Sequence, residues 1–431
     1  MLGPEHADQG RLGLRAWRLR IFVVSWLTYA TFYLGRVNLA AALPALQDEF
    51  GWSKALLGVM GSAFYWVYAA GQLVNGHIGD RVSARRFVAL GLSVSALLNI
   101  LFGSLDVFWV LVAIWALNGW AQSTGWGPIM KTLSRWFSPQ QRGRLIAWFT
   151  PCYVVGHALS WALAGWLLSA GGWRYAFWVP GAILLGAAGL WYALVRDAPT
   201  PPEDNVPASL PPQGPVKRQP LRVGEIVLGT VSNLRHMVSH PKLGCGLLVC
   251  FLSGAIKDGL TLWGPTYLVE QQGLAPTAAA LMGTVLPMAG ALGAVAAGWF
   301  MHRVSGEREM PVVAGMSLVI VCAVLGLYLL GAGMPWWAAL AMLAVLALGS
   351  HGMNALLMAS LPLSLGPEGN VSSAAGTLDF ASYVGGGLSA VLVGGLQDAL
   401  GWGAVYVWWG AVALAIGAVS LAQVARQWRR G

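Results

Sequence analysis

Charge is what this sequence has least of. Only 10% of its 431 residues are Asp, Glu, Lys or Arg, against 57% hydrophobic, and the mean hydropathy is +0.62. Soluble globular chains carry about 25% charged residues, so a water-soluble fold is excluded. Cysteine is also scarce. Cys152, Cys245, Cys250 and Cys322 all lie inside apolar runs, with no zinc or redox spacing. A disulfide framework and a cysteine metal site are thereby set aside, and the four read as small apolar packing residues. No phosphate-cradling loop, metal-ligand cluster or nucleophile pattern is present. The run Gly385-Gly386-Gly387 sits inside an apolar stretch, where glycine serves close helix contact. The chain therefore does not read as an enzyme; no cofactor and no metal are expected, and ATP-driven transport is set aside.

What is present is a series of long apolar runs. Twelve occur, at residues 21–45, 57–78, 87–105, 108–134, 145–169, 176–195, 243–269, 276–300, 311–333, 335–362, 371–396 and 403–425. Each is near the roughly 20 residues that cross a bilayer. The expected fold is an all-α membrane protein of twelve transmembrane helices. The first run is too long for the core of a cleaved signal peptide, and eleven more follow. The net charge of +9 is explained by placement. Of 26 Lys and Arg residues, 22 precede the first run, follow the last, or lie in the loops after even-numbered runs, counting Lys131 at the end of the fourth run. The opposite side holds only Lys54 and Arg174, and Arg36 and Lys257 lie within runs. Positive loops mark the cytoplasmic side, so both termini are expected in the cytoplasm of a plasma (inner) membrane. The bilayer is then the partner that the composition demands, and nucleic acid is not.

Residues 196–242 interrupt the apolar pattern with eight prolines between Pro199 and Pro220. After them, Val227, Val231, Leu234 and Val238 share one face of a short stretch. It reads either as a surface-lying helix or as plain linker. The expected organisation is a basic cytoplasmic segment at 1–20, a six-helix bundle at 21–195, a cytoplasmic Pro-rich linker at 196–242 and a second six-helix bundle at 243–426. The halves look like parallel repeats. Gly298 follows Gly76 by 222 residues, and Lys257 follows Arg36 by 221.

Those two cations are the centre of the reading. An arginine at membrane depth costs at least about 2.5 kcal/mol, so it faces protein or a watery path. Tyr29 and Tyr33 precede Arg36 by seven and three residues, on one helical face. Arg36 reads as part of an anion site or as a structural ion pair. Lys257, its counterpart, carries the same pair of readings. Arg offers a planar fork to two oxygens, and Lys a movable point charge. Two cations about 8 Å apart at an effective dielectric near 20 repel by about 2 kcal/mol, which would resist closure of an empty carrier and enforce exchange. Asp258, next to Lys257, points about 100° away on a helix and is not expected to pair with it directly. It is left to pair with Arg36 or Lys257 across the pocket in the empty state, or with another span. Asp379 reads as a coupling acid or a structural counter-ion, and His157 as an interhelical bond or a proton carrier. Gln72, Asn75, Asn118, Gln122 and Thr124 divide between pathway and helix contact, and Trp126 and Trp263 between pocket and packing.

Gly76-x-x-x-Asp80-Arg81, trailed by Arg85-Arg86, resembles the loop signature of the major facilitator superfamily. Gly76, Asp80 and Arg81 would then form a conformational latch. Further stretches resemble one branch, the organophosphate:phosphate antiporters, which includes glycerol phosphate and hexose phosphate carriers. They are Tyr29-x-x-x-Tyr33-x-x-Arg36-x-Asn38, Gly119-Trp120 with Gly125-Trp126, and Trp136-Phe137-Ser138 with Arg142-Gly143. Lys257-Asp258-Gly259, Trp263 to Leu268, Ala374-Ala375-Gly376 and Tyr383-Val384-Gly385-Gly386 complete the set. The resemblance implies that Arg36 and Lys257 hold the phosphate, with lysine where glycerol phosphate carriers have a second arginine. It aligns Gln72 with a family lysine, Cys152 with a family histidine and Pro287 with a family acid. The expected substrates are a small organophosphate or phosphonate-type anion and inorganic phosphate, exchanged by alternating access. A proton-coupled sugar-acid symporter and a transporter-like membrane sensor of a phosphorylated metabolite are the alternatives. The oligomeric state stays open, a monomer included.

Overall fold

A computed structural model describes residues 4–138, 148–199, 241–306, 308–363 and 371–428, with single residues 141, 145, 224, 235 and 239 between them. The Pro-rich and amphipathic parts of the 196–242 segment lie outside the described residues, as does the Arg142-Gly143 pair. The described residues form helices and no strand. In chain order these are α1 (Pro4–Leu34), α2 (Asn38–Phe50), α3 (Lys54–Arg81), α4 (Ala84–Phe102), α5 (Phe108–Gln122), α6 (Trp126–Trp136), α7 (Pro151–Gly171) and α8 (Tyr175–Leu194). After the undescribed segment come α9 (Pro241–Gln272), α10 (Pro276–Gly283), α11 (Val285–Arg303), α12 (Glu309–Leu330), α13 (Trp336–Leu363), α14 (Val371–Leu400) and α15 (Trp402–Trp428).

Nine stretches among the described residues are helical, long and apolar enough to cross a membrane by length and composition. The remaining crossings use α3 and two broken spans. The first span is α1 plus α2, and the fourth is α5 plus α6. The eighth is interrupted once, at Thr284 between α10 and α11. With every backbone group needing a partner in lipid, helices are the form such runs must take. The start of α1 and the end of α15 lie at one end of the bundle, here termed proximal. At the other, distal end, five of the six inter-helix turns carry a glycine at positive φ (Gly51, Gly172, Gly273, Gly331, Gly401). Such a residue lets a helix stop abruptly and its chain turn back.

The break in the first span is the feature that positions the site. Helix α1 stops at Leu34 and α2 starts at Asn38, so residues 35–37 leave the helical ladder. Polar side chains of α4 and α5 meet the exposed backbone. Asn99 and Asn118 donate their Nδ2 groups to the Gly35 carbonyl, at 3.3 and 2.8 Å. Asn38 Nδ2 donates to Asn99 Oδ1 and to the Ala176 carbonyl, and Trp161 Nε1 donates to the Val37 carbonyl at 3.1 Å. Ser95 Oγ donates to Asn118 Oδ1 and accepts from Gln122 Nε2. An unsatisfied carbonyl in an apolar interior costs several kcal/mol, so this network is what makes the break tolerable.

The helices before and after the undescribed segment meet along α3 and α14, and along α7 and α10, over their distal halves. Gly58 of α3 lies against the Ala390 and Val391 backbone, and Gly394 of α14 against the Lys54 backbone. Gly165 of α7 faces Thr277 and Ala280, and Gly283 faces the Trp161 ring. A Cβ at any of these would collide, so glycine is what allows the close approach. Ser62 Oγ bonds the Gly387 carbonyl, and Trp66 Nε1 donates to the Val384 carbonyl at 3.3 Å. At the distal rim Lys54 Nζ lies 2.9 Å from Glu270 Oε1 and 3.9 Å from Asp398 Oδ1. These bonds join the two sets of helices on the distal side, from Lys54 to Trp66 in α3. The bundle is thus sealed at its distal end. Arg174, the other distal cation, binds Glu49 and Asp106 within its own set of helices and holds the Glu49 carboxyl below its usual range.

Candidate anion-binding site

Arg36 sits in the break and not in a helix. Its guanidinium is stacked between two phenol rings, 4.7 Å from the Tyr33 centroid and 4.6 Å from that of Tyr68. Its Nε donates to Gln122 Oε1 at 3.3 Å. Its Nη2 is buried with no hydrogen-bond partner, and it makes no ion pair with a described residue. A neutral amide and two rings thus surround a charge that forms no ion pair among the described residues. Only 8% of Arg36 is exposed. The structural ion pair left open for Arg36 is therefore not found among the described residues.

Lys257 enters from α9, with Nζ 5.1 Å from the Tyr383 ring centroid. Tyr383 and Tyr68 pack edge to face at 4.7 Å, so the two cations cap opposite ends of a tyrosine pair that bridges the two sets of helices. One expectation is corrected here. Lys257 Nζ lies 2.6 Å from Asp258 Oδ1, a direct ion pair between sequence neighbours. The Cα–Cβ directions do diverge by about 100°, but the four-carbon lysine stem curls back to reach the carboxylate. Asp258 is buried and Lys257 partly so, which limits screening of the attraction. Cation–cation repulsion is then a weaker obstacle to closure than the sequence suggests, because Asp258 offsets Lys257. Asp258 Oδ2 is buried and unpartnered, and Tyr65 donates to the Asp258 carbonyl at 3.4 Å.

The other candidates arrange around this axis. Tyr33 lies between Arg36 and the His157 ring, which it stacks on at 5.9 Å. His157 packs edge-on against Trp161 at 4.6 Å, and its Nε2 is buried without a partner. Tyr29 lies one turn further from Arg36, against Trp126 at 5.0 Å and Phe149 at 6.2 Å. Tyr68 takes the second place at the guanidinium because the break turns Arg36 toward α3. Gln72 Nε2 donates to the Tyr68 hydroxyl at 2.6 Å and so fixes that ring. Cys152 is fully buried in the cluster that holds Tyr29. Asp379 is half-buried on α14, one turn proximal of Tyr383, and makes no ion pair with a described residue. Asn75 joins α3 to the Trp120 carbonyl and Ser123, and Thr124 binds the Ala121 carbonyl, so both serve helix contact. In the latch motif, Gly76 meets nothing where a Cβ would stand, and Arg81 bonds the His77 carbonyl. The Asp80 side chain lies outside those described. Tyr65, Tyr68 and Tyr383 were not singled out from sequence as lining groups, whereas Gln122 was left between pathway and helix contact. The signal existed for three of the α3 positions: Tyr65, Tyr68 and Gln72 recur at i, i+3 and i+7, one helical face.

Residues 25–390 match the model of the Major Facilitator Superfamily, most of the chain. The chain belongs to that superfamily. The "Probable hexose phosphate transport protein" of Chlamydia pneumoniae is 27% identical, over 91% of this chain and 88% of its own length. The "Glycerol-3-phosphate transporter" of Bacillus subtilis is 28% identical, over 90% and 88%. Among solved structures, an inward-facing, unoccupied bacterial homologue of the lysosomal transporter Spinster aligns with TM-score 0.74 at 16% identity, covering 94% of this chain and 91% of that one. This member of the superfamily is accordingly a multi-pass membrane protein with the twelve-helix facilitator fold, and its relatives are consistent with the organophosphate:phosphate antiporter branch.

Proposed function

We propose that this facilitator exchanges a small organophosphate or phosphonate-type anion for inorganic phosphate, by rocking α1–α8 against α9–α15 around Arg36 and Lys257. Both termini are assigned to the cytoplasm of the plasma (inner) membrane by the positive loops, which puts the distal seal on the external side. The observation that carries the reading is the unpaired, buried Nη2 of Arg36. A buried guanidinium without an anion costs several kcal/mol, and a forked donor suits two oxygens of one phosphoryl group. The curated relatives named for hexose phosphate and glycerol-3-phosphate support the same chemistry.

The same charge argues for exchange. Full closure of the empty site would strip Arg36 of residual water with no counter-ion in place, whereas a bound anion removes that cost. Substrate is then needed for passage in either direction. The test is radiolabelled phosphate counterflow in proteoliposomes. Uptake is expected only into vesicles preloaded with phosphate or a phosphate ester. Arg36→Ala should abolish it, and so should Arg36→Lys, since an ammonium reproduces neither the fork nor the stacking. Wild-type-like exchange in Arg36→Ala, or net carboxylate uptake driven by a proton gradient, would overturn the proposal.

A further inference from the structure

The ion pair within the site has a consequence for selectivity. Lys257 does not wait for substrate as a free cation; it is held at 2.6 Å by a carboxylate one residue away. That carboxylate is 5% exposed and is fixed at the contact of α9 with α14, where it faces Gly386. Gly386 has no Cβ, and a Cβ there would collide with the Asp258 carboxylate. The acid is therefore accommodated by the neighbouring helix in this position, and its second oxygen finds no donor there. Arg36 has no such ion pair among the described residues.

We propose that Asp258 is a specificity-determining residue that acts as a tethered competitor for Lys257, so that the site favours dianionic phosphoryl groups over monoanionic carboxylates. The inference rests on the anion-exchange reading above. A tethered group competes at an effective concentration that a free solute of the same chemistry must exceed. A substrate carboxylate brings one charge and two oxygens, the same equipment as Asp258. It can satisfy Arg36 but gains nothing by taking Lys257 from its neighbour. A phosphoryl dianion brings a second charge and a third oxygen. It can take the Arg36 fork with two oxygens and draw the Lys257 ammonium, which has three N–H donors, with the third. Specificity built this way lies in the cost set against the wrong ligand as much as in contacts to the right one.

The experiment compares purified wild type, Asp258→Asn and Asp258→Glu with two probes, inorganic phosphate and gluconate. Phosphate half-saturation and inhibition by gluconate are read in counterflow, and thermal stabilisation by each anion is read in detergent. In wild type, gluconate should inhibit phosphate counterflow poorly. Asp258→Asn should lower the phosphate half-saturation by roughly tenfold and let gluconate inhibit, because Lys257 is released. Asp258→Glu, which keeps a carboxylate, should retain wild-type selectivity. The double variant Lys257→Gln/Asp258→Asn removes both members of the pair, the better-tolerated change, and should bind phosphate several-fold more weakly than wild type, because no ammonium is left for the third oxygen to draw. If Asp258→Asn is not monodisperse, the double variant and Asp258→Glu still decide the matter: wild-type phosphate affinity in the double variant, or gluconate inhibition in Asp258→Glu, overturns the inference. An unchanged phosphate-to-gluconate ratio in a folded Asp258→Asn overturns it equally. In each case phosphate exchange by the wild type would leave the proposed function standing. No phosphate exchange and no stabilisation by phosphate in the wild type would remove that function instead.

Discussion

Tyr68 shows what the site asks of a single residue. Its ring lies under the Arg36 guanidinium at 4.6 Å and against Tyr383 at 4.7 Å, while its hydroxyl accepts from Gln72. A partly desolvated cation over an aromatic face is worth about 0.5–2 kcal/mol. Tyr68→Leu removes that support and should weaken phosphate half-saturation several-fold. Tyr68→Phe keeps the ring and loses the hydroxyl's contacts with Gln72, Tyr383 and Arg36, so its effect should be smaller. Equal losses in the two variants would show that the hydroxyl, and not the ring, is what matters. The two cations themselves were legible in the sequence, because a full charge inside an apolar run has few excuses. Their partners were legible only in part. Tyr29 and Tyr33 follow from helical spacing to Arg36, but spacing assumes an unbroken helix, and Tyr68 comes from another span. Asp258 was misread as turned away from Lys257 because backbone direction was taken for side-chain reach.

The break at 35–37 is the element-scale counterpart, and it was invisible in the sequence. The run around it is continuously apolar, and the residue that would announce a kink, Pro44, lies inside the intact α2. What opens the helix is polar capacity on other helices: Asn99 on α4 and Asn118 on α5, both reaching the Gly35 carbonyl. From sequence Asn118 divides between pathway lining and helix contact, and Asn99 was not singled out. Asn118→Leu should leave the Gly35 carbonyl short of a donor and Ser95 short of an acceptor. A cost of about 1–3 kcal/mol follows, seen as a lower melting midpoint in detergent. Because the break aims Arg36 at Tyr68 and Gln122, phosphate affinity should fall as well. Asn75→Ala supplies the contrast. It cuts a bond between α3 and the end of α5 without touching the break. It should lower the melting midpoint and leave phosphate half-saturation in place. Loss of affinity in both variants alike would mean that the break has no special part in positioning Arg36.

At the scale of the whole molecule, class, span count and superfamily follow from the sequence because composition and run length answer directly to the bilayer. The conformation does not, since it depends on which face of a long contact is zipped. Lys54 was nonetheless conspicuous as one of two cations on the side with few positives. Its side chain is 9% exposed, and it spans from α3 to Glu270 on α9 and Asp398 on α14, while Asp398 also accepts from the Ala55 amide. Fully exposed pairs contribute little, but this one is shielded and shared by three helices. Glu270 keeps Gln397 and Trp402 as donors within its own set of helices. Lys54→Met should therefore unfasten the distal rim without leaving Glu270 unsatisfied. A loss of about 1.4 kcal/mol would shift the balance between distally closed and distally open forms tenfold. Spin labels at Val107 and Leu400, both exposed near distal turns on opposite sets of helices, report the opening as a longer distance by pulsed electron resonance. Lys54→Met should populate the longer distance in the absence of substrate. Arg174→Met, whose partners Glu49 and Asp106 lie in its own set, should leave the distribution unchanged. A short-distance distribution that persists in Lys54→Met would show that the apolar contact of α3 with α14, at Gly58 and Gly394, holds the distal end shut without help from charge.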